Sequence, residues 1–88
     1  MNVRYFAAAR AAAGVDEEKF ELPDGATLAT LVEAVLAVER PEPPAGTPPL
    51  VRILSRSSFL LNEVAVRNTA AVLGPDDVVD VLPPFAGG

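Results

Sequence analysis

The residues best suited to chemistry occupy the last six positions of the sequence: Pro83, Pro84, Phe85, Ala86, Gly87 and Gly88. Paired prolines hold a chain extended and keep it out of a sheet. The two glycines carry no side chains, so the tip can enter a narrow channel and approach catalytic atoms of another protein. Six extended residues reach about 20 Å. The ending is therefore typical of a tail that is presented to a partner.

The reactive group of such a tail is the α-carboxylate of Gly88. A carboxylate is a poor acyl donor because oxide is a poor leaving group, but adenylation by ATP on a partner enzyme would activate it. A sulfur nucleophile could then displace AMP and leave a thiocarboxylate. Two terminal glycines arise by chance in about one chain in 200 when glycine is about 7% of residues. The interpretation that the Gly-Gly ending is incidental is therefore less favoured.

The composition excludes most self-contained enzyme mechanisms. The 88 residues include no cysteine and no histidine, which removes thiol nucleophiles, persulfides, disulfides, thiolate metal sites and the commonest general base. The adjacent carboxylates of Asp76 and Asp77 indicate neither a metal site nor an acid/base pair. We therefore expect no bound cofactor and no metal, with any ATP used by an activating partner.

The charge balance restricts the partners. A net charge of −5, with Lys19 as the lone lysine, argues against nucleic acid, because phosphate neutralisation needs clustered basic residues. An acidic body suits a basic protein partner. No apolar run reaches the roughly 18 residues of a membrane span. The start MNVRYF lacks the pattern of a secretory signal, so we expect a cytoplasmic protein.

Alternation and turn signals predict an N-terminal strand pair. Residues 2–6 form the first strand, with Phe6 on its outer face, and residues 17–22 form the second. The alanine-rich residues 7–13 are interpreted as a helical turn or loop; their low bulk suggests close packing or simple filler, and filler is the favoured interpretation. The Pro-Asp-Gly run at 23–25 predicts a turn.

The clearest element is an amphipathic helix capped by Thr27. Its apolar stripe has the i, i+3, i+4 spacing of one helical face and consists of Leu28, Leu31, Val32, Val35 and Leu36. Residues 40–49 hold five of the nine prolines and are interpreted as a stiff surface connector. A short second helix is predicted over residues 50–57.

Three further strands complete the fold. Residues 59–61 and 64–66 pair through a tight Asn-Glu turn, and residues 77–82 form the last strand. This order predicts an α+β β-grasp, or ubiquitin-like, fold: a mixed sheet with one main helix and a short second helix. The last strand then lies parallel beside the first. We expect a β-grasp domain over residues 1–82 and an extended tail over 83–88.

Strand alternation also predicts a partner-binding patch. Phe6, Ala65 and Leu82 fall on outward faces. If the first and last strands are neighbours, Phe6 and Leu82 lie side by side next to the tail. Clustered outward apolar side chains indicate an interface. The same alternation turns Asp80 toward solvent and Val64 toward the core.

Three segments resemble a known family. The stretches VRYFAAAR, FLLNEVAV and LGPDDVVDVLPPFAGG are similar to the small sulfur-carrier subunits of molybdopterin synthase, the MoaD-like proteins. The resemblance covers nearly the whole chain, and residues 40–49 are its least family-like part. Its most specific part is the ending, because the shorter thiamine-pathway carriers share Gly-Gly but usually lack the paired prolines.

The resemblance implies a role in molybdenum cofactor biosynthesis. Gly88 would be adenylated by a ubiquitin-activating-enzyme-like (MoeB-like) partner and converted to a thiocarboxylate with sulfur from a donor protein. The tail, residues 83–87, would then bind in the large synthase subunit (MoaE-like), and sulfur would pass to cyclic pyranopterin monophosphate. The family docks through an apolar sheet face at Phe6, Ala65 and Leu82, although Ala65 is smaller than the expected residue. Arg10 stands where the family often has a basic residue.

Other functions share parts of this pattern. A ubiquitin-like modifier would join Gly88 to lysines of other proteins, and a plain β-grasp binding module would make no use of the Gly-Gly ending. A sulfur carrier for thiamine or cysteine synthesis would carry out the same chemistry with another acceptor.

Overall fold

The computed structural model describes residues 1–84, and within them five strands and three helices follow one another. Their bounds are β1 (Asn2–Tyr5), α1 (Ala7–Ala13), β2 (Glu17–Lys19), α2 (Leu28–Ala37), α3 (Leu50–Arg56), β3 (Ser58–Leu61), β4 (Val64–Val66) and β5 (Val78–Leu82). No helix in this part of the chain is long and apolar enough to cross a bilayer.

The strands form one mixed sheet in the order β2-β1-β5-β3-β4. β5 lies at its centre, parallel to β1 and antiparallel to β3. The two outer pairs, β1 with β2 and β3 with β4, are antiparallel. A parallel neighbour needs a long crossover, which the helical middle of the chain supplies. This is the ubiquitin-like β-grasp topology that the sequence predicts.

The helices pack on one face of the sheet. Val3 and Val81 on the central strands are at most 1% exposed, as are Leu28 and Leu31 on α2. Each such side chain contributes about 1.5–3 kcal/mol relative to an exposed one. The backbone N–H of Thr30 donates to the side-chain oxygen of Thr27 at 3.3 Å, which confirms the predicted cap.

The alanine-rich segment is a helix that packs closely, so its interpretation as filler is wrong. Ala9, Ala12 and Ala13 are buried on α1 and belong to the hydrophobic core. The segment contacts α3, β1 and β5. Small side chains are what allow a short helix to approach that closely. The helix ends at Gly14, whose φ of 81° favours glycine.

We expect Ala9→Leu to destabilise the fold by about 1–3 kcal/mol, because extra methylenes in a filled core force side chains and backbone apart. Ala9 is 0% exposed. The matched control is Ala11→Leu, since Ala11 is exposed on the same helix. Urea unfolding followed by circular dichroism measures both. Equal unfolding midpoints for the two variants would contradict the packing role of α1.

The sequence predicted the turn between β3 and β4 correctly, but it did not predict the exposure of Val64 on β4. Asn62 and Glu63 both have positive φ, 49° and 70°, which confirms the tight turn. Val64 was expected in the core, yet it is 69% exposed. Val64 lies on the edge strand β4, opposite Leu61 of β3. An edge strand has no second neighbouring strand to cover its side chains. The second strand is also shorter than expected, because β2 ends at Lys19.

Candidate functional site

The base of the predicted tail emerges from the central strand of the sheet. β5 ends at Leu82, after which Pro83 is half-buried and Pro84 is exposed. Strands on both sides hold β5 through hydrogen-bonded ladders. The direction in which the chain leaves the sheet is therefore set by the most constrained strand. Four predicted tail positions lie outside the described residues: Phe85, Ala86, Gly87 and Gly88.

The structure brings Phe6 and Leu82 together beside this exit. Tyr5, the last residue of β1, pairs with Val81 in the parallel ladder, and the residues that follow them, Phe6 and Leu82, line one cavity. Phe6 is 40% exposed. An open cavity of about 480 Å³ lies at this point. Its lining consists of Phe6, Ala7, Arg56, Ser58, Leu82, Pro83 and Pro84.

Ala65 does not join that cavity. It lies on the outer face two strands away from β5 and pairs with Leu60. Leu60 in turn pairs with Asp80, so it is Leu60 that connects Ala65 with the centre of the sheet. Sequence reasoning missed Leu60, although the core packing of Phe59 and Leu61 implies an outward side chain between them.

Asp80 does not face solvent, contrary to expectation. Its side chain is only 6% exposed, while that of its partner Arg4 is 40% exposed. The Nε and Nη2 groups of Arg4 donate to the two carboxylate oxygens at 2.5 and 2.8 Å. The alternation assigned the face correctly, but Arg4 and Leu60 on the two neighbouring strands shield the carboxylate. The hydrogen bond and charge of Asp80 raise the pKa of Arg4.

A second charged cluster lies on the helix side, and it was not identified from the sequence. Arg40 donates to both carboxylate oxygens of Glu18 at 2.7 and 2.9 Å and to the carbonyls of Ala13 and Val35 at 3.1 Å. The hydroxyl of Tyr5 donates to the same carboxylate at 2.8 Å. Arg40 thereby ties the start of the proline-rich loop to the core.

The titration of this cluster follows from its contacts. Burial alone would raise the pKa of Glu18, but the hydrogen bonds from Arg40 and Tyr5 outweigh burial and lower it. The hydrogen bond to Glu18 raises the pKa of Arg40, and burial raises that of Tyr5. The cluster is therefore held as an ion pair and serves the fold.

The remaining charged candidates are turn and surface groups. Asp77 accepts from the backbone N–H of Gly74 at 2.6 Å and from the side chain of Asn62 at 2.9 Å; these two bonds lower its pKa. Arg10 pairs with Asp16 at 2.7 Å, and both side chains are exposed. Within residues 1–84, no three carboxylate, histidine or cysteine side chains are grouped as metal ligands. What the described residues provide is an apolar pair, Phe6 and Leu82, beside the point where the chain leaves the sheet.

Comparison with known proteins gives concordant matches. The profile of the ThiS family matches residues 3–88. The chain is 35% identical over 89 aligned positions to the molybdopterin synthase sulfur carrier subunit of Chlamydomonas reinhardtii, covering 100% of this chain and 98% of that protein. Both matches extend over nearly the full sequence.

Three solved structures share the fold. A putative molybdopterin converting factor subunit 1 from Pyrococcus furiosus superposes with a TM-score of 0.71 at 28% identity, covering 96% of this chain and 95% of that one. SAMP1 from Haloferax volcanii gives 0.78 at 20% identity, covering 100% and 98%. The complex of subunits 1 and 2 of the molybdopterin-converting factor from Helicobacter pylori gives 0.59 at 22% identity, covering 99% and 96%.

Proposed function

This chain belongs to the ThiS family, and from that premise we propose that it carries sulfur on Gly88 for molybdopterin synthesis. The observation that carries the proposal is the 35% identity, over 100% of this chain and 98% of the other protein, to a molybdopterin synthase sulfur carrier subunit. The paired prolines and two glycines at the end of the sequence supply a tail of the required kind.

The proposed chemistry takes place on the α-carboxylate of Gly88. Its oxygen attacks the α-phosphorus of ATP on an activating enzyme, which releases pyrophosphate and leaves an acyl adenylate. Hydrosulfide supplied by a donor protein then attacks the acyl carbon, displaces AMP and generates the thiocarboxylate. The thiocarboxylate donates its sulfur to cyclic pyranopterin monophosphate, and water supplies the oxygen that restores the carboxylate of Gly88. Each carrier delivers one sulfur, so two carriers supply the dithiolene of one product.

The proposed partner for sulfur transfer is the large subunit of molybdopterin synthase. The Helicobacter pylori structure is a complex of the corresponding two subunits, which supports an assembly of this kind. In our chain the apolar pair Phe6 and Leu82 lies next to Pro83 and Pro84. A partner that receives the tail must therefore also cover this pair. We call the outer surface of the sheet that holds Phe6 and Leu82 the docking face.

Deleting Gly88 is expected to abolish thiocarboxylate formation, because the tail is then one residue short of the adenylating atoms. The chain ending at Gly88 is incubated with the activating enzyme, the sulfur donor and ATP from its own organism. Intact-mass spectrometry then detects the replacement of one oxygen by sulfur. The matched control is Gly74→Ala, a glycine change away from the tail where an added Cβ meets only ordinary contacts. This control should gain sulfur as the parent does.

The same experiment separates the competing functions. Amide conjugates of higher mass would identify a protein modifier, and an unmodified carboxylate despite a competent activating enzyme and donor would refute sulfur carriage. A thiocarboxylate that forms but fails to convert cyclic pyranopterin monophosphate with the large subunit would point to thiamine or cysteine synthesis. A Gly88 deletion that leaves function intact would favour a plain binding module.

A further inference from the structure

A charged pair occupies the middle of the otherwise uncovered outer face of the sheet. Arg4 and Asp80 pair in register on the adjacent strands β1 and β5. Leu60 follows Asp80 in the same row on β3. Phe6 and Leu82 lie two residues further along the chain from Arg4 and Asp80, with Phe6 just after the end of β1. Any protein that covers Phe6 and Leu82 in order to receive the tail also covers the Arg4 guanidinium.

Arg4 retains hydrogen-bonding capacity that the fold does not use. A guanidinium has five N–H donors, and the bonds to Asp80 use one on Nε and one on Nη2. The two donors on Nη1 and the second on Nη2 bond to no group among residues 1–84. The side chain is 40% exposed, so water satisfies these donors until a partner covers them. A buried donor without an acceptor is costly, so a purely apolar partner surface is unsuitable.

The charges around Arg4 indicate what kind of acceptor fits. Asp80 already neutralises the guanidinium, and Glu17 lies opposite Arg4 in the β1–β2 ladder. The charge of Glu63 also acts on Arg4. A further carboxylate would be brought close to these three acidic groups and repelled by them. An uncharged oxygen, such as a main-chain carbonyl, can accept from Nη1 without that cost.

Arg4 is also rigid before binding. Its two parallel hydrogen bonds to a nearly buried carboxylate fix the guanidinium plane, so docking loses little of its side-chain entropy. Arginines fixed among apolar neighbours are a common kind of binding hot spot. We propose that Arg4, positioned by Asp80, is the specificity-determining contact of the docking face and donates to a main-chain carbonyl of the large synthase subunit.

The inference rests on the proposed function, and a double replacement tests it by the direction of its effect. Arg4→Met with Asp80→Val turns the pair into apolar side chains, which a fold generally tolerates because neither charge is left unpaired. We expect the double variant to bind the purified large subunit at least tenfold more weakly in isothermal titration calorimetry, because the partner's oxygen then loses its donor. Without such an oxygen, a more apolar face would bind equally or more tightly, and that result would overturn the inference.

Two controls make the result specific. Lys19→Met removes a charge from the outer face at the edge strand β2 and should leave the affinity unchanged. The urea unfolding midpoint of the double variant should equal that of the parent, so that weaker binding reflects the lost contact and not unfolding. If the double variant is destabilised, Arg4→Lys serves instead; it keeps the charge but loses the fork-shaped pairing, and it should still weaken binding severalfold.

Salt separates an uncharged acceptor from a charged one. The loss of affinity should be similar at low and high ionic strength, because a bond to a carbonyl is screened little. A loss that disappears in high salt would identify a partner carboxylate and refute the assigned acceptor. If the parent chain itself fails to bind the large subunit, the proposed function fails. If the parent binds and the double variant binds as well, only the role of Arg4 fails.

Discussion

Replacing Arg40 with methionine is expected to lower the free energy of unfolding by about 2–3 kcal/mol, because its ion pair with Glu18 is partly buried and removing one partner of a fully buried pair costs about 3–5 kcal/mol. The Arg40 and Glu18 side chains are 10% and 19% exposed. The variant leaves the Glu18 carboxylate without its cation and the carbonyls of Ala13 and Val35 without a donor. Domains of this size are stable by only about 4–13 kcal/mol. The variant should therefore lose a large share of its total stability.

Urea unfolding monitored by circular dichroism measures this effect. Arg52→Met is the matched control, because Arg52 is exposed on α3 and its side chain forms no ion pair within residues 1–84. It should change the free energy of unfolding by no more than about 0.5 kcal/mol. Adding Glu18→Gln to Arg40→Met should recover part of the loss, since the stranded charge is then gone. Equal stability of Arg40→Met and Arg52→Met would show that the cluster is not structural.

Phe6→Asp is expected to weaken binding to the large subunit by about thirtyfold or more, which corresponds to the 2 kcal/mol or more of a hot-spot residue. Its ring is 40% exposed and lies beside Leu82 at the base of the tail. A carboxylate there would have to be buried against the partner without compensation. Leu82→Asp should act in the same direction. Titration calorimetry with the purified large subunit gives both affinities.

The control is Val72→Asp, which introduces the same charge at an apolar residue that is 66% exposed and lies outside the cavity lining at the tail exit. It should bind as the parent does. The urea midpoint of Phe6→Asp should change little, because the side chain points away from the core. A collapse of the fold would show that Phe6 is part of the core, and normal binding by a folded Phe6→Asp would remove Phe6 from the docking face.

The fold was predictable because its main signals are local. Alternation over short strands and the apolar stripe that begins at Leu28 report directly on burial. The parallel pairing of the first and last strands then places Phe6 beside Leu82. The α1 helix was harder to interpret, because alanine fits a loose surface turn and a close helix contact equally well. Only the contacts of α1 with α3, β1 and β5 in the folded protein distinguish the two.

The charged pairs could not be found from local pattern alone. In the alternating pattern of the second strand, Glu18 falls on the same inward face as Phe20 and Leu22. The pattern therefore indicates that a carboxylate points inward and needs a cation. Its partner Arg40 is 22 residues away at the start of a proline-rich loop, and nothing local identifies it. The exposure of Asp80 depends in the same way on Arg4, which is 76 residues away. Long-range contacts of this kind are set by the assembled sheet.

The central position of β5 has a mechanical consequence for the exchange of partners. A pull along the tail loads β5 parallel to its own axis, so the ladders to β1 and β3 resist together in shear. An edge strand, by contrast, could be peeled away one hydrogen bond at a time. If the proposed tail is drawn out of one partner and inserted into the next, both ladders continue to hold β5 in the sheet. We expect the amides of β5 to exchange hydrogen as slowly in the partner-bound protein as in the free one.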